Sequence, residues 1–209
     1  MSQGNRIRVL SVDDHPLLRE GIAAMINGQA DMTLVAAAAS GHEALVLFRE
    51  HRPDVTLMDL RLPDMSGIET LMAIRAEFPD AHIVLLTTFE GDAEIQRALQ
   101  AGAMGYMLKS MPPRELLTGI REVHAGKKFI PPQIVSTLAQ HLGEHALTPR
   151  EIEVLRALAD GGGNRDIAKS LFISEETVKV HVKHIMDKLD AADRTEAVTI
   201  AVRRGIIEL

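Results

Sequence analysis

Between Ile7 and Ala125, short apolar runs alternate five times with amphipathic stretches, and no other feature of the chain limits its possible folds so strongly. The runs Ile7 to Val12, Leu34 to Ala38, Val55 to Met58, Ile83 to Thr87 and Gly105 to Leu108 are bounded by Gly, Pro or Asp and read as buried strands. The stretches that follow them, roughly Leu17 to Ile26, Glu43 to His51, Ile68 to Phe78, Asp92 to Ala101 and Arg114 to Ala125, carry helical periodicity. Strand then helix, five times over, predicts an α/β domain across residues 1–125, with a doubly wound five-stranded parallel sheet.

The rhythm breaks at Gly126. Residues 126–146, with Pro131-Pro132 and scattered histidines, read as a linker containing one helix near Ile134 to Leu142. No strand candidate returns after it, so residues 147–209 read as an all-α domain of four helices. Thr148-Pro149-Arg150-Glu151 is a capping box with proline at the first helical position, opening a helix to about Ala159. Gly161 to Gly163 end that helix. Asn164 is expected to cap the next, to about Leu171, and Ser174 a longer one to about Leu189; a last helix runs roughly from Arg194 to Arg204.

Composition narrows the function classes. The 209 residues contain no cysteine, which excludes disulfides, thiol catalysis and cysteine-based zinc sites. No apolar run reaches membrane-spanning length, and Met1 to Arg6 lacks the hydrophobic segment of a signal peptide, so a cytoplasmic protein without membrane partners is expected. Residues 1–125 hold 11 Lys+Arg against 17 Asp+Glu, whereas residues 126–209 hold 12 against 12. An anionic partner for the second domain would therefore need locally concentrated positive charge.

The predicted strand ends carry the chemistry. The first ends in Asp13-Asp14, the third in Asp59 and the fourth in Thr87-Thr88; the fifth is followed at once by Lys109. In a parallel sheet all of these lie on one edge, where ligands bind. Three crowded carboxylates repel one another unless a cation lies between them, and Mg²⁺ suits an all-oxygen set. Beside it, the Asp59 carboxylate can act as a nucleophile toward phosphorus while Lys109 and Thr87 hold the transferred oxygens. Taken singly, Asp59 also reads as a turn or capping residue, Asp14 as a helix cap, Thr87 as a turn hydroxyl and Lys109 as a solvated charge. Gly161 to Gly163 has no preceding strand and no phosphate-loop motif, so it reads as a turn. His141 with His145, and His181 with His184, have helical spacing that can hold a metal, but without an H-E-x-x-H pattern or a third ligand no metal is expected there.

The motifs D-D-H-P at 13–16, M-D-L-R-L-P-D-M-S-G at 58–67, L-T-T at 86–88 and A-G-A-M-G-Y-M-L-K at 101–109 resemble the receiver domain of bacterial two-component response regulators. The resemblance implies that Asp59 is the phosphoacceptor, that Asp13, Asp14, Asp59 and the backbone carbonyl of Arg61 hold Mg²⁺, that Thr87 and Tyr106 form a switch pair, and that Lys109 grips the phosphoryl group. Many receivers have Lys-Pro where this chain has Lys109-Ser110.

In the predicted helix from Ser174 to Leu189, Val178, Val182, Ile185 and Leu189 share the core stripe, and Lys179, Val180 and Lys183 point elsewhere. Two cations and a valine on one face suit a major groove; an ordinary solvated face is the plainer alternative. The stretches 147–155, 164–168 and 174–185 resemble the LuxR-type helix-turn-helix, and the pair of domains resembles the NarL/FixJ type of response regulator. That resemblance implies phosphorylation by a sensor histidine kinase, homodimerisation on phosphorylation and binding to double-stranded promoter DNA, with RNA polymerase as a further partner. It also implies no enzymatic activity beyond the receiver's own phosphorylation and dephosphorylation. The last helix is apolar over more than one face, and a dimer contact through Ala197, Ile200 and Ala201 is expected. Two other readings stand beside this one: a phosphorylation-independent DNA-binding protein, and an aspartyl phosphatase. Phosphatases of the haloacid-dehalogenase type carry a second acid two residues after the nucleophile, where this chain has Arg61.

Overall fold

The computed structural model describes residues 6–88, 91–140 and 147–207. The chain divides into two compact units: Met1–Glu90 with Ile95–Val135, and Ser136–Leu209 with Gly91–Glu94.

The first unit contains strands β1 (Ile7–Val12), β2 (Met32–Ala38), β3 (Val55–Asp59), β4 (Ile83–Thr87) and β5 (Gly105–Leu108), all parallel, in the spatial order β2-β1-β3-β4-β5. They alternate with α1 (Pro16–Asn27), α2 (Gly41–His51), α3 (Gly67–Glu77), α4 (Asp92–Gln100) and α5 (Pro113–His124). The central strands β3 and β4 are buried at every residue, which accounts for their unbroken apolar runs: helices cover both faces. On one face Val9, Leu57, Val84, Leu86 and Met107 pack with Ile22 and Ile26 of α1 and with Leu116 and Ile120 of α5. β1 connects outward to β2 on one side, and β2 connects back past β1 to β3 on the other, so the winding direction reverses between β1 and β3. The crevice of such a sheet opens beyond the carboxyl ends of those two strands.

Two of the boundaries that differ from the sequence reading have a clear physical cause. β2 begins at Met32, ahead of the expected Leu34, because Met32 pairs with Ile7 and is buried. The expected linker does not leave the first unit at Gly126. Phe129 accepts from Tyr106 N–H at 3.1 Å and donates its own N–H to Met104 at 2.9 Å, bridging the edge strand β5. An edge strand offers free backbone groups, and Gly119 leaves room for the Phe129 ring: a Cβ there would lie 2.8 Å from Phe129 Cδ1. The linker helix, α6, spans Pro132–Gln140; His141 and His145 lie outside the described residues.

The second unit holds α7 (Pro149–Ala159), α8 (Asn164–Ser170), α9 (Glu175–Leu189) and α10 (Arg194–Arg203). Its core joins Val154, Leu155, Ile167, Val178, Ile185 and Ala201. The expected cap of α8 moves by one residue: Gly163 is the N-cap, without a side-chain bond, and Asn164 is already helical. Between α8 and α9, Phe172 takes a left-handed φ of 55° while Ile173 N–H returns to Ala168 O at 3.0 Å, a reversal that sets α9 against α8.

The dimer contact expected at α10 needs correction. Ala197 and Ala201 are buried in the core of their own domain, and only Ile200 of the three keeps partial exposure. Their small side chains let α10 pack closely on α7 and α9, so this apolar face is spent within the domain.

The capping box at the start of α7 forms as expected, with Glu151 N–H on Thr148 Oγ1 at 3.3 Å and Thr148 N–H on Glu151 Oε2 at 2.7 Å. Glu151 also takes the Lys188 ammonium of α9 at 2.7 Å. Burial opposes its charge, yet Lys188 and the Thr148 groups outweigh burial and hold this carboxyl below the ordinary glutamate range. Glu151→Ala is expected to cost about 2 kcal/mol, from the lost cap and the lost ion pair with Lys188. Because the folded value is depressed, this stabilisation is complete above about pH 4.5 and is lost as pH falls from there toward the folded value. Hydrogen exchange of the amides from Val154 to Leu158 measures both effects in the full chain, and exchange unchanged in Glu151→Ala at pH 7 contradicts them.

Candidate functional site

The ends of β1, β3 and β5 converge through backbone pairing. Val12 pairs with Met58 and Asp59 with Leu86, so Asp13 and Asp59 leave adjacent strands at the same level. Lys109 follows β5, its N–H donating to Thr87 O at 2.7 Å, which brings its side chain over the end of the sheet. Lys109 Nζ lies 2.7 Å from Asp13 Oδ2 and 2.6 Å from Asp59 Oδ2, so one ammonium bridges two buried carboxylates. Asp59 Oδ1 accepts from Arg61 N–H at 3.3 Å. Gly67 stands so close to the Asp59 carbonyl that no Cβ would fit, which fixes the return of the loop onto β3. The peptide bond between Lys109 and Ser110 is trans.

The charges in this corner are finely set. Burial pushes the Asp59 carboxyl above its ordinary value; Lys109 pulls it down less than burial and the neighbouring Asp13 push it up. Burial alone would lower Lys109, but its bonds to Asp13 and Asp59 outweigh that and raise it, so the ammonium stays charged. The result is an under-solvated carboxylate held beside a permanent cation.

Asp13, Asp14, His15 and Asp59 each offer a ligand atom, and these atoms lie within 4.8 Å of one another. Asp13 and Asp59 are buried and Asp14 is exposed at the mouth, so a cation would meet protein on one side and water on the other. Their carboxylate oxygens match a hard divalent cation that keeps part of its hydration. His181 and His184 are not part of this group.

Thr87 and Tyr106 lie on neighbouring strands: Thr87 pairs with Leu108 and Tyr106 with Leu85. Both are buried, Tyr106 completely. The sequence reading passed over two residues here. His15 Nδ1 lies 2.7 Å from Asp14 Oδ1, and Arg19 donates to the Asp13 carbonyl at 2.5 Å. The signal for His15 was its place between Asp14 and Pro16, which starts α1 and turns the chain across the strand end.

In the second unit, α9 buries Val178, Ile185 and Leu189, and Val182 is half-buried against them. Lys179, Val180 and Lys183 are exposed, as the periodicity predicts. Lys179 pairs with Glu176 at 3.1 Å on the surface.

The description of the response regulator receiver domain fits residues 9–121, and that of bacterial regulatory proteins of the luxR family fits residues 145–201. The chain belongs to the response regulators, as a receiver domain joined to a LuxR-type DNA-binding domain. It is 42% identical to the uncharacterized transcriptional regulatory protein YxjL of Bacillus subtilis, over 98% of this chain and 99% of that one. It is 36% identical to the response regulator protein VraR of Staphylococcus aureus, over 97% and 99%. RcsB from Salmonella enterica serovar Typhimurium, solved on promoter P1flhDC with the phosphomimetic BeF3-, superposes with a TM-score of 0.75 at 27% identity, over 94% of this chain and 98% of that one. Among the described residues, no helix is long and apolar enough to cross a membrane.

Proposed function

We propose that Asp59 accepts a phosphoryl group from a sensor histidine kinase and that this event controls binding of promoter DNA by the second domain. The observation that carries the reading is the Lys109 ammonium shared between Asp13 and Asp59 at the mouth of the β1/β3 crevice. A carboxylate oxygen of Asp59 attacks phosphorus, the phosphorus–nitrogen bond of a phosphohistidine breaks, and the imidazole leaves with a proton. Asp59 then carries an acyl phosphate, and attack of water on phosphorus restores the carboxylate. Lys109, already aimed at Asp59 Oδ2, donates to the arriving oxygens, and Thr87 at the end of β4 offers its hydroxyl to them. Asp13, Asp14, Asp59 and the Arg61 carbonyl would hold Mg²⁺, which supplies charge neutralisation between the acids and the phosphoryl oxygens. Movement of Thr87 toward the new phosphate leaves space for Tyr106 on the adjoining strand, a two-state element that a local charge can bias.

In the second domain, Lys179, Val180 and Lys183 are the groups proposed to enter the major groove, with two copies of the chain on two half-sites. The half-buried Val198, Ile200 and Val202 are the α10 side chains left to meet a second copy. The protein acts on no external substrate in this reading, and it works in the cytoplasm, where RNA polymerase is a further partner.

Acetyl phosphate with Mg²⁺ tests the assignment. The wild type is expected to gain one phosphoryl group at Asp59 by mass spectrometry, and Asp59→Asn none. Equal labelling of Asp59→Asn would move the acceptor elsewhere, rapid turnover without an adduct favours a phosphatase, and no modification at all favours a phosphorylation-independent regulator.

A further inference from the structure

We propose that Asp64 is a positioning residue for the metal subsite, tying the loop after Asp59 to the N-terminus of α2. The inference rests on the reading of Asp59 and its acidic neighbours as a Mg²⁺-dependent phosphoacceptor site. In that reading one ligand, the Arg61 carbonyl, belongs to the backbone, so its position depends entirely on the path of the loop. The loop is fixed at its ends: Leu60 N–H donates to Leu86 O at 3.0 Å and Gly67 N–H to Leu60 O at 2.8 Å. Between them Asp64 makes contacts that a turn aspartate does not need. Its Oδ1 accepts from Gly41 N–H at 2.8 Å, and its Oδ2 from His42 N–H at 2.9 Å and lies 2.6 Å from His42 Nδ1.

Gly41 and His42 are the first two residues of α2, whose N–H groups have no partner inside the helix. The helix's own cap, Ser40 Oγ, reaches only the third, Glu43 N–H, at 3.2 Å. Asp64 thus completes the cap of a helix 23 residues away in sequence from its own loop. The apposition leaves no slack: a Cβ on Gly41 would collide with Met65 Cγ and stand 2.5 Å from Thr70 Oγ1. Against burial, these N–H groups hold the Asp64 carboxyl well below the ordinary aspartate range, so the clip persists at physiological pH. Arg61 sits three residues before the clip, with Pro63 stiffening the chain between them. Releasing Asp64 frees the middle of the loop while both ends stay bonded.

Two single variants of the full chain separate positioning from simple helix stability. Asp64→Ala removes the clip, whereas Ser40→Ala removes a cap from the same helix without touching the loop. Titration calorimetry with Mg²⁺ alone, on the unphosphorylated protein, is expected to show about tenfold weaker binding in Asp64→Ala and unchanged binding in Ser40→Ala, although both melt earlier. If Asp64→Ala does not fold, Asp64→Asn, which keeps one acceptor oxygen, is expected to show a smaller loss of the same sign. Wild-type Mg²⁺ affinity in the folded Asp64 variant, or an equal loss in Ser40→Ala, overturns the proposal. Absence of Mg²⁺ binding in the wild type overturns the underlying reading of the site as well.

Discussion

Replacing Lys109 by alanine is expected to destabilise the receiver by about 3 kcal/mol in buffer free of divalent cations, and added Mg²⁺ is expected to return much of that loss. The size follows from what remains. Asp13 and Asp59 are both buried, and each has the Lys109 ammonium within 2.7 Å. Without it, two like charges face each other at low dielectric, where removing one partner of a buried pair leaves an uncompensated charge. The Asp59 carboxyl, which burial already holds above its ordinary value, would lose the ammonium that lowers it, so the penalty is complete at neutral pH and shrinks as falling pH protonates it. In the wild type the ammonium competes for the same oxygens as a metal ion. Mg²⁺ should therefore stabilise Lys109→Ala more than it stabilises the wild type; at a hundredfold excess over the variant's dissociation constant the gain for the variant is about 2.7 kcal/mol.

The chain has a built-in reporter for this experiment. Tyr106 is its only tyrosine and there is no tryptophan, so intrinsic fluorescence follows the receiver alone. Tyr106 is fully buried on β5, two residues short of Leu108 and the strand end. Urea unfolding of both proteins, with and without Mg²⁺, gives the four stabilities needed. Equal stability of the two proteins without metal, or an equal gain from Mg²⁺, would show that Lys109 does not hold the acids together.

The residues of that cluster were legible because a parallel sheet turns order along the chain into position in space. Once five strand-helix units are recognised, Asp13, Asp59, Thr87 and Lys109 must share an edge, whatever the loops do. Asp64 was not legible in the same way. Read locally it is one more turn aspartate between a proline and a glycine; its partners, Gly41 and His42, belong to another unit of the repeat and are brought near only by packing. Ala197 and Ala201 show the converse difficulty. Periodicity reveals that α10 has apolar residues on several faces, but it does not say which face the domain itself consumes. The close approach of α10 to α7 and α9 selects the small alanines for the interior and leaves the larger Val198, Ile200 and Val202 half-buried. Phe129 escaped notice because it lies beyond the last helix of the repeat, where composition reads as a linker, and only the open edge of β5 gives it a partner.

The double variant Lys179→Ala/Lys183→Ala is expected to lose about 2 to 6 kcal/mol on the specific operator, about 1 to 3 for each lysine that reads a base edge. Geometry on α9 supports placing both in the groove. Val178, Ile185 and Leu189 are buried in the domain core, while Lys179, Val180 and Lys183 are all exposed, so one helix face is committed inward and the other is presented. The Lys179 ion pair with Glu176 does not oppose this. Both side chains are mostly exposed, and such pairs contribute little, so Lys179 can exchange Glu176 for DNA at small cost. Glu175 and Glu176 occupy the first turn of α9, where they favour the helix dipole but repel phosphate, so contacts with the duplex should begin one turn later. Base reading and phosphate neutralisation give different signatures in the single variants. A lysine on a guanine edge loses affinity on the operator but little on a scrambled duplex, and its removal relaxes preference at one base position. A lysine on a phosphate loses equally on both duplexes, and its removal lowers the slope of log affinity against log salt by about one. Binding isotherms of Lys179→Ala, Lys183→Ala and the double variant, on both duplexes across a salt series, assign each lysine to one role. Wild-type affinity of the double variant on both duplexes would take α9 out of the groove and move the DNA contact to another face of the domain.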